Sequence, residues 1–220
     1  MFLLLALLAA CNGVSASPSG QAPSDQARSD QAPSDHDRAP VPEAAAGQAV
    51  AIFAGGCFWC MESDFDGLAG VVATTSGFAG GHTQAPTYEA VSAENTGHAE
   101  AVRVIYDTSK LTYAQVLDYY WRHTDPTDGG GQFCDRGDSY RPVVFYLDDA
   151  QKQAALASKA AVEGLLGKSV ATQVAPAGTF WAAEVYHQDF HVKSPARYEP
   201  YRRGCGRDAR VKAVWAGHPG

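Results

Sequence analysis

Basic residues are outnumbered in this 220-residue sequence: 17 Lys and Arg stand against 24 Asp and Glu, a formal net charge of -7. That balance argues against general nucleic-acid binding through a basic surface. No apolar run is long enough to span a bilayer, since Met1 to Ala10 supplies ten residues where about 20 are needed. Large apolar side chains are almost missing from Asn12 to Gly47, so that stretch cannot bury enough surface to offset its ordering entropy. A second CxxC is also missing. Of the five cysteines, Cys11, Cys57, Cys60, Cys134 and Cys205, only Cys57 and Cys60 have that spacing. With Cys134 and Cys205 single, a structural zinc site is disfavoured.

The run Met1 to Ala10 suits a signal-peptide h-region, although no Lys or Arg precedes it. Leu8-Ala9-Ala10-Cys11 resembles a bacterial lipobox, in which the cysteine becomes the lipidated N-terminus. Residues 1–10 are therefore read as a leader and residues 11–47 as a disordered tether rich in Ser, Pro, Ala, Gln and Asp, with Cys11 the candidate lipidation site. Tandem pentads run through the tether from Gln21, Gln26 and Gln31. The expected location is the bacterial cell envelope, on the periplasmic side, as a membrane-anchored lipoprotein if Cys11 is modified. Such a setting permits disulfides. Residues 48–220 remain as one domain, long enough for a single core.

Within it, Val50 to Phe53, Val71 to Gly77, Ala99 to Tyr106, Pro142 to Leu147 and Ala171 to Pro176 read as strands. Thr112 opens a helix whose Tyr113, Val116, Leu117, Tyr120 and Trp121 share one buried face. Asp148 or Asp149 caps an Ala-rich helix running to Leu166. The order predicts an α+β fold, a two-layer sandwich in which a mixed, ferredoxin-like sheet is packed by helices and long irregular loops. Phe78 to Gly97 and His123 to Ser139 are Gly-rich and polar, as function-bearing loops often are.

The densest chemical signal is Gly55-Gly56-Cys57-Phe58-Trp59-Cys60-Met61-Glu62, directly after the first strand. It reads as a tight turn that sets Cys57 at a helix mouth, where unpaired N–H groups and the macrodipole favour a thiolate. Cys60 lies one turn on, within reach of a disulfide. The glycine pair points to close backbone approach by a ligand. On these residues alone, an inert pair, half a zinc site, a thioredoxin-like dithiol and a nucleophile all stay open, with bulky Phe58 and Trp59 awkward for a general dithiol.

The run resembles the active-site motif of the A-type methionine sulfoxide reductases. The resemblance continues through Gly77-Phe78-Ala79-Gly80-Gly81, Pro86-Thr87-Tyr88, Gly97-His98-Ala99-Glu100 and His123-Thr124-Asp125-Pro126-Thr127. It resumes at Gln132 to Arg141 and at Ala183 to Gln188. It implies that 48–220 is a catalytic domain reducing the S-epimer of methionine sulfoxide, free or in proteins. Cys57 would be the nucleophile, Glu100 the acid, and Tyr88, Tyr140 and Asp135 polar partners around the sulfoxide oxygen. Phe58 and Trp59 would wall the methyl pocket. His187, four residues before His191 on a predicted helix, is read as structural or pocket-lining, the HxxxH pair being a weak metal signal. Attack would leave a Cys57 sulfenic acid that condenses with a thiol. Cys60 is favoured as that thiol, with Cys205 a second resolving or shuttling cysteine in a swinging tail and Cys134 a third option. Many family members have glycine at the position of Cys60. A thioredoxin-type reductant would reopen the disulfide, with no metal or organic cofactor. The alternatives are a thioredoxin-like dithiol-disulfide oxidoreductase using Cys57 and Cys60, and a lipid-tethered module that binds apolar side chains.

Overall fold

Residues 37–218 are those that the computed structural model describes; the leader, Cys11 and the pentads lie outside them. The chain enters along the rim of the domain. Ala39 N–H donates to the Ala183 carbonyl at 3.0 Å, and the Arg38 guanidinium donates to the carbonyls of Ala182 at 3.0 Å and Pro86 at 2.7 Å. The last residues assigned to the tether by composition thus carry backbone contacts of their own.

Strand β1, Gln48–Ala54, leads through the glycine turn into helix α1, Phe58–Asp66, and then β2, Val71–Ala79. Helix α2, Tyr88–Ser92, interrupts the first long loop before β3, Ala99–Asp107. Helix α3, Tyr113–Arg122, begins at Thr112 with a reciprocal capping box to Gln115, so its start is specified locally as well as by its apolar face. The second loop holds a two-residue hairpin, β4 at Gly131–Gln132 and β5 at Asp135–Arg136, followed by a 3-10 turn, Asp138–Tyr140. Strand β6, Val143–Tyr146, precedes α4, Asp149–Leu166, whose first turn is capped by Asp148 and whose end is turned by left-handed Gly167. Strands β7, Gln173–Pro176, and β8, Trp181–Ala182, and helices α5, Phe190–Lys193, α6, Pro195–Cys205, and α7, Arg207–Val214, complete the chain.

The six-stranded sheet has the order β7-β6-β1-β3-β2-β8, with β6 and β7 parallel and the other neighbours antiparallel. Its inner four, β6-β1-β3-β2, form the ferredoxin-like arrangement: β1 and β2 are joined by α1, and β3 lies between them. Both faces are covered, and period-2 alternation divides the strands between them. Phe53, Val102, Val104 and Val144 join Phe58, Phe65, Leu117, Tyr120 and Trp121 in one core, while Ile52, Ala99, Ala101, Val143 and Phe145 form a second. Glu100 shares parity with Val102 and Val104, which turns its carboxyl toward α1.

Two local expectations change. His187 closes a 3-10 turn, Val185–His187, and left-handed Asp189 (φ 53°) breaks the chain before α5, so His187 and His191 do not share a helix. The region around Cys205 is not a loose tail but the junction of α6 and α7 at left-handed Gly206.

Candidate active site

Cys57 is the N-cap of α1, and its carbonyl accepts the N–H groups of Cys60 and Met61 at 3.1 and 3.2 Å. Gly56 before it has φ +82°, and a Cβ there would come within 2.7 Å of Gln132 Cβ. A Cβ on Gly55 would meet Thr124 Cγ2 at 2.8 Å and Met61 Sδ at 2.9 Å. The glycine pair therefore makes room for the protein's own side chains, not for an approaching ligand.

Cys57 and Cys60 are both buried free thiols. Burial pushes the Cys57 thiol well up, and the hydrogen bond to Cys60 and the Glu100 charge add to it. Cys60 is pulled down, first by the hydrogen bond from Cys57 and, against the opposing effect of burial, by the charges of Arg207 and Arg202. Of the two thiols, Cys57 thus holds its proton the more tightly and Cys60 ionises the more readily, the reverse of what the helix mouth alone suggests. A helix N-terminus is worth only about 0.3–1 kcal/mol in ordinary settings, too little to offset desolvation of a buried thiolate.

Glu100 is 3% exposed, and its Oε2 accepts the Phe58 backbone N–H at 2.9 Å. Burial lifts its pKa to about 8, the Phe58 amide opposing and the charges of Asp135, Cys60 and Glu94 assisting. A neutral carboxylic acid thus lies beside the helix mouth near pH 7.

The aromatic wall forms as the motif suggests. The Phe58 ring lies 6.2 Å from Tyr88 and 4.9 Å from His187, while Trp59 stacks on Phe190 at 3.8 Å. Trp59 Nε1–H donates to His187 Nδ1 at 3.0 Å, which fixes the tautomer with its proton on Nε2. Burial lowers the His187 pKa to about 4. The ring is therefore a neutral acceptor that orients Trp59. Tyr88 is placed through its backbone N–H, which donates to buried Glu184 Oε1 at 3.1 Å. Tyr140 is placed by its neighbour Ser139, whose N–H and Oγ–H donate to the Glu94 carboxylate at 2.9 and 2.6 Å. Burial raises both phenols, and the Glu100, Cys57 and Asp135 charges act on each, so both are neutral hydrogen-bonding groups within reach of the same three charges.

Asp135 sits in β5 with its carboxyl raised by burial, against a hydrogen bond from Tyr201, the Arg207 charge and the Cys57 backbone N–H. The structure thus gathers Cys57, Cys60, Glu100, Asp135, Tyr88, Tyr140, Phe58, Trp59 and His187 at one end of α1. Cys205 is nearby but committed: its sulfur is bonded to Cys134, with the two Cα atoms 4.9 Å apart. A resolving role for either requires that bond to open first, and neither offers a thiolate to a metal while it is closed.

Three groups were not legible. Tyr201 Oη lies 2.8 Å from both Asp135 carboxyl oxygens. Arg207, 1% exposed, spans the Gly55 carbonyl, Asp64 and the His123 carbonyl behind the dithiol. Arg202 holds the other oxygen of Asp64 at 2.8 Å. The only signal for them was a cluster of Tyr and Arg before and after Cys205, which reads as an exposed tail.

Comparison with known proteins agrees with this geometry. Residues 49–218 match the family model described as peptide methionine sulfoxide reductase. The chain is 52% identical over 181 residues to a Caulobacter vibrioides peptide methionine sulfoxide reductase MsrA 2, covering 81% of this chain and 92% of that one. It is 50% identical over 169 residues to a Listeria innocua peptide methionine sulfoxide reductase MsrA, covering 76% and 96%. Among solved structures, reduced Mxr1 from Saccharomyces cerevisiae superposes with a TM-score of 0.65 at 28% identity, covering 68% of this chain and 87% of that one; the yeast protein has also been solved in complex with Trx2. The chain belongs to the A-type peptide methionine sulfoxide reductase family.

Proposed function

We propose that the chain reduces the S-epimer of methionine sulfoxide, free and peptide-borne, with Cys57 as the attacking sulfur. The sulfoxide methyl group lies against Phe58 and Trp59, and its oxygen faces Glu100, Tyr88 and Tyr140. Attack of the Cys57 thiolate on sulfur drives charge onto that oxygen, which an apolar pocket tolerates only with a proton or strong donors at hand. Glu100 supplies the proton and the two phenols supply hydrogen bonds. The S–O bond breaks as the oxygen passes to Cys57, leaving methionine and a Cys57 sulfenic acid. Cys60, close by and more acidic than an ordinary thiol, attacks the Cys57 sulfur as its thiolate; the hydroxyl takes up a proton and leaves as water, and the Cys57–Cys60 disulfide forms. The observation that carries this reading is the buried neutral Glu100 held on the amide next to Cys57.

A thioredoxin-type dithiol returns the disulfide to two thiols, a role that the Mxr1–Trx2 complex supports by analogy. The Cys134–Cys205 bond is a second candidate station for those electrons. We place the enzyme on the export side of a bacterial envelope, anchored through Cys11. Mass analysis of the mature N-terminus tests this, and an unmodified Met1 start overturns it.

The catalytic reading is tested by giving the full chain resolved methionine sulfoxide epimers with dithiothreitol. The S-epimer is expected to be consumed and the R-epimer spared, with Cys57→Ser losing at least about 10³-fold in rate. Undiminished turnover in that variant removes Cys57 from the mechanism. Disulfide mapping after one turnover without reductant is expected to show Cys57–Cys60; exclusive pairing of Cys57 with Cys205 or Cys134 at the earliest times assigns resolution elsewhere.

A further inference from the structure

We infer that Tyr201 of α6 is a catalytic residue in the same reaction, relaying the proton of Cys57 through its phenol to Asp135. The inference rests on the reading of Cys57 as the attacking sulfur. Attack needs a thiolate, yet the resting pair leaves the proton on Cys57, so a base within reach must accept it. Glu100 is unsuited, because below about pH 8 it holds the proton destined for the sulfoxide oxygen.

Tyr201 lies on a path that avoids Glu100. Its hydroxyl lies 2.8 Å from both carboxyl oxygens of Asp135, and its phenol acts on the Cys57 thiol in the sense that favours the thiolate. Its ring is held edge-on against Trp59, with centroids 6.0 Å apart. Covalent structure fixes the same pair, since Asp135 follows Cys134 directly, Tyr201 lies one helical turn before Cys205, and Cys134 and Cys205 are disulfide-bonded. The step balances: the Cys57 S–H proton moves to Tyr201 Oη as the Tyr201 O–H proton moves to Asp135, and the negative charge passes from carboxylate to sulfur. The proton held on Asp135 later makes good, through solvent, the one that Glu100 gives up.

Every titratable group around Cys57 fits this direction of transfer. Burial raises the Asp135 carboxyl, which makes it a better base than an exposed aspartate. Burial also holds the Tyr201 phenol far above its usual range, so it passes a proton without keeping a charge. Tyr88 from α2 and Tyr140 from the 3-10 turn stay neutral beside the sulfur. Cys60 from α1 hydrogen-bonds Cys57 and is the one competing acceptor; Arg207 from α7 and Arg202 from α6 favour its thiolate, and Asp64 opposes it.

The test is run in the full chain carrying Cys60→Ser, which removes that competitor. Two quantities are read against pH: iodoacetamide labelling of the Cys57 peptide by mass spectrometry, and single-turnover methionine release. Tyr201→Phe keeps the ring against Trp59 and deletes only the hydroxyl. It is expected to raise the labelling midpoint by about one unit, equivalent to an about tenfold lower thiolate fraction below it, and to slow the single turnover about tenfold or more at pH 7. Asp135→Asn is expected to slow the single turnover similarly, with the double variant no slower than the slower single, as for residues on one path. An unshifted labelling profile in Tyr201→Phe, or losses that multiply in the double variant, overturns the relay. Failure of the underlying reading looks different, because activity would then survive Cys57→Ser.

Discussion

Replacing Glu100 by alanine or glutamine is expected to slow sulfoxide reduction by about 10²–10⁴-fold, the usual worth of a positioned general acid. Glutamine is the sharper test. Its carbonyl can still accept the Phe58 N–H, as Glu100 does at 2.9 Å, but it has no proton to transfer, so lost rate with retained fold isolates the acid function. The pH dependence has a definite sign. Glu100 must be protonated to act, and burial lifts its pKa to about 8, so loss of this acid slows the reaction as pH rises through about 8. Glutamine is expected to abolish the falling limb. Stability should fall over a lower pH range: because the folded pKa lies above the unfolded value, Glu100 costs stability progressively as pH rises from about 4.5 to about 8, and the cost stays constant above that. Thermal denaturation should show Glu100→Gln gaining on the parent across that window. Activity within threefold of the parent, or a melting difference that stays flat from pH 5 to pH 8, removes Glu100 from the acid role.

The parts of the fold that could be read from sequence are those specified by neighbours in the chain. Helix α3 carries its own start and stripe in Thr112, Gln115 and the apolar positions from Val116 to Trp121, and the structure places it as expected. The strands that pair in the centre of the sheet emerge from alternation, each within a few residues of its expected bounds. By contrast β8 is two residues long and exists because Trp181 and Ala182 find Phe78 and Gly77 across the sheet edge. Helices α6 and α7 lack an apolar stripe and dock largely through Tyr198, Arg202 and Arg207, so no periodicity announces them. The site divides in the same way. Cys57 at a helix mouth is a local feature, whereas the Glu100 contact closes 42 residues of chain and the Arg207 contact to Asp64 closes 143. The resemblance supplied Glu100, Tyr88, Asp135 and Tyr140; it could not supply Tyr201 or Arg207, which fell outside its motifs. Helix-mouth logic likewise assigned the charge to the wrong sulfur, because desolvation depends on how deeply the turn is covered.

Arg207→Ala is expected to destabilise the domain by about 3–5 kcal/mol, the range for removing one partner from a buried ion pair. The guanidinium is 1% exposed, and its Nε contacts Asp64 Oδ2 at 3.2 Å. Its other nitrogens donate to the Gly55 carbonyl at 3.1 Å and the His123 carbonyl at 2.9 Å, tying the active-site turn to the end of α3. Truncation leaves a cavity, deprives two buried carbonyls of a donor and leaves Asp64 to Arg202 alone. Arg207→Met fills most of the volume and should lose less, so the difference between the two variants in urea unfolding separates packing from charge. The charge has a second consequence that methionine also exposes. Arg207 lowers the Cys60 thiol, so its removal should reduce the Cys60 thiolate at neutral pH and slow closure of the Cys57–Cys60 disulfide. The Cys57 sulfenic acid should then persist long enough for dimedone to trap more of it than in the parent, with the excess shrinking as pH rises and Cys60 ionises unaided. A loss under about 1 kcal/mol in Arg207→Ala, or dimedone labelling in Arg207→Met equal to the parent at pH 7, would falsify the idea that one buried cation both braces the turn and prepares Cys60.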